Sequence, residues 1–364
     1  MWLEKLHLTH FKNYEAGSYT FGERVNCLVG QNGSGKTNLL DAIYFLALTK
    51  SAFQNQDALT IQHEADFLVL DGIFRDGTRR TQITGSLQRG QRKVMMADKK
   101  AYDRLSDHIG RFPVVLIAPD DTDLVRDGSE ERRRFFDGVL AQLTPAYLDD
   151  FLQYNKILSQ RNSLLKIFAE RNYLDEDMLE TYNEPLIALA QRIYEHRRRF
   201  MEHFLPLVGR YYAYLSNERE RVDLIYESEV ARPDFPTEFR KHRSRDLHAQ
   251  RTSKGIHKDD YVFEIDGRAL RKFGSQGQQK SFVIALKLAQ YELLALEKET
   301  QPILLLDDIF DKLDDLRIHK LIEMIDSGSL GQVFITDARP ERSHRILDQV
   351  AADVRFFEIG KSYE

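Results

Sequence analysis

The sequence Val25-Asn26-Cys27-Leu28-Val29-Gly30-Gln31-Asn32-Gly33-Ser34-Gly35-Lys36-Thr37-Asn38 decides the fold of this chain. Its first five residues form a mostly apolar run that precedes a glycine, which is the pattern of a buried strand. Residues 30–37 fit the phosphate-binding pattern G-x-x-x-x-G-K-[ST]. Residues 37–48 have the broad apolar face of a helix. A strand, a glycine-rich loop and a helix in this order predict an α/β fold built around a P-loop.

The predicted loop contains the residue types that bind a nucleoside triphosphate. Glycines let successive backbone N–H groups turn towards anionic oxygens, and the following helix adds its positive N-terminal end. We expect Lys36 to reach the β- and γ-phosphates and the Thr37 hydroxyl to hold Mg²⁺. The alternative is a glycine-rich turn beside a solvated lysine. The expected cofactors are ATP and Mg²⁺. The predicted nucleotide-binding residues are Gly30, Gln31, Asn32, Gly33, Ser34, Gly35, Lys36, Thr37 and Asn38.

A second apolar run, residues 303–306, is followed by the acidic pair Asp307-Asp308. This pattern predicts a central parallel strand that places two carboxylates at its C-terminal end. In a P-loop ATPase the first acid, Asp307, would assist Mg²⁺ and the second, Asp308, would accept a proton from the attacking water. Asp308 and Lys36 are the predicted catalytic residues. A strand-end pair that only caps a helix is the alternative.

The third element is Phe273-Gly274-Ser275-Gln276-Gly277-Gln278-Gln279, which precedes a predicted helix over residues 279–298. In isolation it predicts a serine-capped helix after a glycine turn. In this order along the chain it resembles the signature sequence of ABC-type ATPases. That resemblance implies that Ser275, Gln276, Gly277 and Gln278 contact the γ-phosphate held by a second subunit. Asp311-Lys312-Leu313-Asp314 resembles the D-loop, which implies that Asp311 and Asp314 lie at the interface between subunits.

Four further blocks of sequence are similar to the RecF family of bacterial recombination mediators. They are Leu6-His7-Leu8-Thr9-His10-Phe11-Lys12-Asn13-Tyr14, Ala118-Pro119-Asp120-Asp121, Arg132-Arg133-Arg134-Phe135-Phe136-Asp137 and Gly255-Ile256-His257-Lys258-Asp259-Asp260. The resemblance implies an ATP-dependent homodimer on double-stranded DNA near single-strand/double-strand junctions. It also implies recruitment of RecR, and through it RecO, to load RecA on gapped DNA. Hydrolysis would be slow, DNA-dependent and regulatory, acting as a release timer.

The chain departs from the ABC pattern in three places. No glutamine stands in residues 118–123, where the Q-loop glutamine is expected, so Asp120 or Asp121 is the candidate replacement. Asp337 stands where a histidine usually follows the last core strand, so Thr336 or Asp337 is the candidate γ-phosphate sensor. Residues 309–312 also differ from the usual sequence after the acidic pair.

The organisation along the chain predicts an ABC-type head with an antiparallel side sheet and an inserted helical arm, or second lobe. We assign residues 1–128 to ATPase lobe I, residues 129–250 to the helical lobe and residues 251–364 to the return into the ATPase core. Two long helices are expected in the insertion, either as a projecting arm or as a subdomain packed on the core. The basic stretch 240–258 is predicted to be a loop or a turn-rich connection.

The composition limits the partners that the chain can have. There are 52 basic and 57 acidic residues, a net charge of −5, so any DNA-binding surface must be local. We expect no disulfide framework from one cysteine, no membrane partner and a cytoplasmic location. The candidate DNA contacts, with solvated surface charge as the alternative, are Arg79, Arg80, Arg92, Lys93, Arg243 and Arg245.

Two other classes of ATPase share such a head. An ATP-dependent nuclease would need an acidic metal-binding domain after the last core strand, for which the sequence to Glu364 leaves no room. An SMC-type structural ATPase needs arms of hundreds of residues. A small-molecule kinase or a GTPase is a further alternative. A GTPase should carry an N-K-x-D element, and we find none; neither class needs residues 275–279 or a long helical insertion. We therefore favour an ATP-gated DNA clamp, in which ATP closes the homodimer around double-stranded DNA.

Overall fold

The computed structural model describes residues 1–360, apart from the side chain of Lys312. The chain forms two compact units. Unit 1 comprises Met1–Thr122 and the chain from Val283 onward, and unit 2 is Asp123–Phe282. The strands are β1 (Trp2–Phe11), β2 (Tyr14–Thr20), β3 (Val25–Val29), β4 (Phe67–Asp76), β5 (Arg79–Gln88), β6 (Val94–Ala97), β7 (Lys100–Ala101), β8 (Val114–Ile117), β9 (Val222–Glu227), β10 (Asp260–Ile265), β11 (Arg268–Ala269), β12 (Ile303–Leu306), β13 (Val333–Asp337) and β14 (Val354–Glu358).

The α-helices are α1 (Lys36–Leu48), α2 (Asp123–Arg126), α3 (Ser129–Leu143), α4 (Pro145–Arg171), α5 (Glu176–Ser216), α6 (Phe235–Lys241), α7 (Arg243–Ala249), α8 (Leu270–Phe273), α9 (Gln276–Lys298), α10 (Ile309–Lys312), α11 (Asp315–Asp326) and α12 (Pro340–Leu347). Among the described helices α5 is the longest, with 41 residues, and α4 and α9 follow with 27 and 23.

Unit 1 contains a five-stranded parallel sheet in the order β14-β3-β13-β12-β8. β3, β8, β12 and β13 are buried along their whole length, which explains their near-continuous apolar sequences. Asp337 pairs with Val29, and Leu306 pairs with Ile335. Because parallel strands end at the same edge, the P-loop, the acidic pair and Asp337 all lie at one edge of this sheet.

A six-stranded antiparallel sheet, β2-β1-β4-β5-β6-β7, forms the side sheet expected from the sequence. Helix α1 contacts strands of both sheets, and its apolar side chains belong to the same core as theirs. Leu39, Leu40, Ile43 and Leu46 are fully buried. The helix that follows the P-loop is therefore fixed on two sides by packing.

Unit 2 contains the inserted helices and a three-stranded antiparallel sheet, β11-β10-β9. The long helices α4 and α5 run antiparallel, because Asp150 bonds Arg192 while Arg161 bonds Asn183 further along the pair. The buried face of α5 runs from Leu179 to Leu215. The division of the chain at residues 128 and 250 stays a prediction.

The prediction of a loop over residues 240–258 was wrong in its first half. Two short helices, α6 and α7, occupy residues 235–249. Phe235 and Phe239 bury the inner face of α6, and Asp246 of α7 accepts a hydrogen bond from Arg161 at 2.8 Å. Tertiary burial of three residues fixes two helices that are too short to show a periodic pattern.

Candidate nucleotide site

The P-loop has a backbone that only glycine accommodates at several positions. Gly33 and Gly35 have φ values of 81° and 106°, in the left-handed region. A Cβ on Gly30 would lie 2.5 Å from the Ile359 carbonyl oxygen. A Cβ on Gly35 would lie 2.6 Å from the Asn13 side-chain nitrogen. The loop is thus packed tightly against Ile359, just after β14, on one side and against the β1–β2 turn on the other.

The side chain of Lys36 folds back onto the backbone of the P-loop. Its ammonium donates to the carbonyl oxygens of Gly30 and Gln31 at 2.8 and 2.9 Å. Burial lowers the pKa of Lys36, and the carboxylates of Asp308, Asp307 and Asp337 oppose that shift. The ammonium is therefore held at the acidic edge of the sheet, within the reach of a group bound in the loop.

Asp307 is the carboxylate that joins the P-loop helix to the neighbouring strands. The Thr37 hydroxyl lies 2.9 and 3.1 Å from its two oxygens, and the Thr336 hydroxyl donates to Oδ1 at 2.8 Å. Burial raises the pKa of Asp307, while the hydrogen bonds from Thr336 and Thr37 lower it. A buried carboxylate beside a threonine hydroxyl is a set of hard oxygen donors, so Thr37 and Asp307 fit a Mg²⁺ ion.

Asp308 stands at the head of α10 in a left-handed conformation, with φ 49° and ψ 36°. Its backbone N–H donates to the Thr336 hydroxyl at 2.8 Å. Thr336 therefore bridges both members of the acidic pair. Non-glycine residues in this conformation are strained, and such strain is concentrated at functional sites.

The two candidates for the γ-phosphate sensor have different surroundings. Thr336 contacts the acidic pair directly. The carboxylate of Asp337 instead accepts from the Ser343 hydroxyl at 2.5 Å and the Arg339 N–H at 3.2 Å, and it pairs with Arg342. The hydrogen bonds and the Arg342 charge offset the cost of burying the Asp337 carboxylate, and they reduce its repulsion of a phosphate bound nearby.

The candidates for the Q-loop position also differ. Asp120 is exposed. Asp121 accepts from the Ala118 N–H at 2.6 Å and pairs with Lys287 of α9 at 2.7 Å. The Asp121 carboxylate thus holds the turn after β8 to the helix that follows the signature sequence.

The turn between β1 and β2 contacts the P-loop, a role that the sequence did not predict. The Tyr14 hydroxyl donates to the Gly35 carbonyl at 3.1 Å, and Asn13 accepts from the Asn38 side chain at 2.7 Å. Asn13 also donates to the Ser34 carbonyl at 3.4 Å. No pattern in the sequence connects these residues, because they meet only when the six-stranded and the five-stranded sheet of unit 1 share one core.

The signature residues lie at the N-terminus of α9. Ser275 and Gln276 are exposed. The Ser275 N–H donates to the Gln278 side chain at 2.7 Å, and the Gln278 N–H donates back to the Ser275 hydroxyl at 3.3 Å. This reciprocal pair is a capping box, so the serine does cap the helix. Gln278 also donates to Glu220 at 3.0 Å.

The two acids of the D-loop stretch have separate partners. Asp311 pairs with Arg342 at 2.5 Å. Asp314 caps α11 by accepting from the Arg317 N–H at 3.0 Å, and it also pairs with the Arg317 guanidinium.

Two of the four basic candidates on the β5–β6 hairpin are already paired. Arg80 pairs with Glu4 at 3.2 Å. The side chain of Lys93 is only 9% exposed and pairs with Asp57 at 2.6 Å. Its ammonium also lies 5.1 Å from the Phe45 ring centroid. This placement argues against Lys93 as a DNA contact, because its charge faces the protein.

The other four candidates are on the surface. Arg243 pairs with Glu176 at 2.7 Å. Arg79, Arg92 and Arg245 are exposed, and none of them forms an ion pair within the part of the chain that the structure describes. These three are the positions best able to neutralise a phosphate.

Two of the blocks similar to the RecF family, residues 132–137 and residues 255–260, bind each other inside unit 2. The Arg132 guanidinium donates two hydrogen bonds to the Asp260 carboxylate, at 2.8 and 3.0 Å. Fully buried Arg197 of α5 joins Asp137 at 2.8 Å to Asp259 at 2.6 Å. These two blocks therefore stabilise the helical unit from within.

Within residues 1–360, we find no helix with both the length and the apolar character needed to cross a membrane.

Comparisons with known proteins agree on one family. Residues 2–356 match the family model described as the RecF/RecN/SMC N terminal domain. The DNA replication and repair protein RecF of Flavobacterium johnsoniae is 45% identical over 359 residues, which cover 99% of this chain and 100% of that protein. RecF of Cytophaga hutchinsonii is 44% identical over 361 residues, which cover 99% of this chain and 96% of that protein.

Solved structures give the same result. The structure of the recombination mediator protein RecF-ATP in the RecFOR pathway has a TM-score of 0.87 and 27% identity, covering 99% of this chain and 98% of that one. The Smc head domain from Pyrococcus furiosus has a TM-score of 0.56 and 18% identity, covering 98% of this chain and 94% of that one. The second likeness establishes the shared fold of the head alone.

Proposed function

The chain belongs to the RecF family, within the RecF/RecN/SMC group, and from that membership we propose that it is an ATP-gated DNA clamp of recombinational repair. One observation carries the proposal. The Thr37 hydroxyl contacts Asp307, a residue 270 positions away, so the P-loop and the acidic strand form one site. Relatives named as DNA replication and repair proteins, and a related RecF-ATP structure, support ATP as the nucleotide.

In the proposed mechanism the P-loop binds the triphosphate through its backbone N–H groups and the N-terminal end of α1. Lys36 exchanges its loop carbonyls for phosphate oxygens. Thr37 and Asp307 would hold Mg²⁺, which would neutralise phosphate charge there. Asp308 orients the attacking water and accepts its proton. The Thr336 hydroxyl holds the two acids in place by donating to the Asp307 carboxylate and accepting from the Asp308 N–H.

The proposed clamp is a homodimer that ATP closes. Ser275 and Gln276, exposed at the start of α9, would contact the γ-phosphate bound by the other copy, with Gly277 and Gln278 behind them. ATP then shifts the population towards the closed dimer because it binds that state more tightly. Hydrolysis removes this difference and opens the clamp. RecR, with RecO and RecA acting downstream, and a cytoplasmic location are part of the same proposal.

Double-stranded DNA near a gap is the proposed cargo, with Arg79, Arg92 and Arg245 as phosphate contacts. Replacing Arg79 and Arg92 together by alanine should weaken DNA binding about equally across sequences. It should also reduce the salt dependence of log K by roughly 1 per residue. Arg345→Ala, a charge loss on the exposed side of α12, is the matched control. An unchanged salt slope in the double variant would remove these arginines from the proposal.

The decisive experiment is molar mass in solution by light scattering. Wild type and Ser275→Arg are each measured without nucleotide, with ADP and with ATP–Mg²⁺, and ATP binding is titrated in parallel. Ser163→Arg, at an exposed position of α4, controls for the added charge. We expect a dimer only with ATP–Mg²⁺ in wild type and in Ser163→Arg, and a monomer that still binds ATP in Ser275→Arg.

Two further variants separate binding from hydrolysis. Lys36→Met should abolish ATP-dependent dimerisation. Asp308→Asn should keep ATP binding and prolong the dimer, because the proton acceptor is lost while the phosphate contacts stay. A mass that does not respond to nucleotide would leave a monomeric ATPase or a constitutive assembly and remove the clamp. An unchanged dimer lifetime in Asp308→Asn would remove its assigned role.

A further inference from the structure

One arginine connects two of the positions at which this sequence departs from the ABC pattern. Asp337 stands in place of the usual histidine, and Asp311 belongs to residues 309–312, which differ from the usual sequence after the acidic pair and lead into the D-loop. In the structure the guanidinium of Arg342, on α12, lies between them. The sequence gives no sign of this contact, because the three residues belong to three different elements.

Arg342 uses all three of its guanidinium nitrogens in this connection. Nη1 donates to Asp311 Oδ1 at 2.5 Å and lies 3.3 Å from the Phe310 carbonyl oxygen. Nε donates to Asp337 Oδ2 at 3.2 Å, and Nη2 pairs with Asp337 Oδ1. The guanidinium carbon also lies 5.8 Å from the Phe310 ring centroid. The side chain is only 16% exposed, so these contacts are partly shielded from water.

The two ends of this bridge differ in how firmly they are held. Asp337 is fully buried at the end of β13, and it is fixed by the Ser343 hydroxyl and the Arg339 N–H. Asp311 is on the short helix α10, three residues after the strained Asp308, and it also pairs with the exposed Arg339 at 3.4 Å. The sheet end of the bridge is therefore buried, whereas the D-loop end lies on a short helix nearer the surface.

We propose that Arg342 is a positioning residue that holds the D-loop against the end of β13 and neutralises Asp337 beside the phosphate site. Its consequence for turnover rests on the proposed ATP-driven dimer. Because the guanidinium fork makes several contacts in fixed directions, a lysine ammonium at this position cannot replace it. The fork sets the geometry that the D-loop presents to the second copy, so its loss should slow hydrolysis more than it weakens ATP binding.

The first measurement is hydrogen exchange of residues 309–314 in nucleotide-free protein. We compare wild type, Arg342→Ala and Arg342→Lys with Arg345→Ala, an exposed arginine on the same helix. Exchange should rise at least threefold in Arg342→Ala over this stretch and stay unchanged over residues 25–48. The lysine variant should lie closer to alanine than to wild type, and Arg345→Ala should match wild type.

The second measurement is steady-state ATP hydrolysis with the same variants, together with Asp311→Asn and the double variant. We expect kcat to fall about tenfold in Arg342→Ala with KM changed less than twofold. The combined effect should be smaller than the product of the two single effects, because both changes remove the Arg342–Asp311 contact, while Asp311 also pairs with Arg339 at 3.4 Å.

The outcomes separate this inference from the proposed function. If wild type does not dimerise with ATP, the clamp fails, while the exchange measurement still tests the bridge. Unchanged exchange over residues 309–314 overturns the bridge. Faster exchange throughout unit 1 shows a general structural role and overturns it as well. Unchanged kcat, or strictly additive effects in the double variant, overturns the positioning role.

Discussion

Asp307→Asn should stabilise the protein without nucleotide and abolish its response to ATP–Mg²⁺. Asp307 is only 5% exposed, and burial raises its pKa, so the folded state favours the protonated carboxyl. The stability associated with that form is fully present below the ordinary pKa of 3.8 and is lost as pH rises through the raised value. At neutral pH the buried, ionised Asp307 carboxylate therefore lowers the free energy of unfolding. A neutral amide at the same position does not have this cost.

The size of the effect follows from the contacts that the amide keeps. The asparagine Oδ1 can still accept from Thr37 and Thr336, so the substitution leaves no new unsatisfied hydroxyl. Replacing a functional residue whose charge is disfavoured by burial typically stabilises a protein by about 1 kcal/mol, which raises Tm by about 2–4 °C for a unit of this size. Wild type at 100 times the Kd of ATP–Mg²⁺ should gain about 2.7 kcal/mol, and the variant should gain almost none because a Mg²⁺ ligand is missing.

The assay is thermal unfolding of both proteins across pH, with and without ATP–Mg²⁺. The advantage of the variant without nucleotide should shrink as pH falls through the raised pKa of Asp307, because the carboxyl itself then becomes neutral. Asp66→Asn, at an exposed aspartate, is the control and should change neither curve. A lower Tm for Asp307→Asn without nucleotide, or an ATP–Mg²⁺ shift equal to that of wild type, would refute the reasoning.

Three further perturbations have expected outcomes. Arg197→Met should lower the free energy of unfolding by about 3–5 kcal/mol in urea titrations, because it leaves two buried carboxylates unpaired, whereas Arg199→Met at an exposed site should have little effect. Burial lowers the pKa of His108 to about 4, so the folded state favours the neutral imidazole. The stability that this preference gives above pH 6.5 should be lost as pH falls towards 4. His108→Gln should flatten this part of the pH–stability curve. Gly30→Ala should weaken ATP binding at least tenfold in a direct titration, since its Cβ meets a carbonyl oxygen at 2.5 Å, while Gly77→Ala, in open space, should leave ATP binding unchanged.

The sequence by itself determined the α/β class, the side sheet and the family. It did so because the P-loop, the acidic strand and the signature are short stretches whose local order specifies both backbone and chemistry. Glycines at fixed spacing, an apolar run before acids and a serine before a helix can be read without knowing which elements pack together. The same stretches named Thr37, Asp307 and Asp308, which the structure brings to one edge of the sheet.

Tertiary structure alone decided how the residues at that edge are connected. Thr336 bridges the acidic pair, and Arg342 joins Asp337 to the D-loop, through contacts that depend on which strands are neighbours in the sheet. Lys93 was a candidate DNA contact in the sequence, but it is buried against Asp57 in the structure. Pairing and burial of charged side chains depend on distant parts of the chain packing together, and no local pattern encodes them.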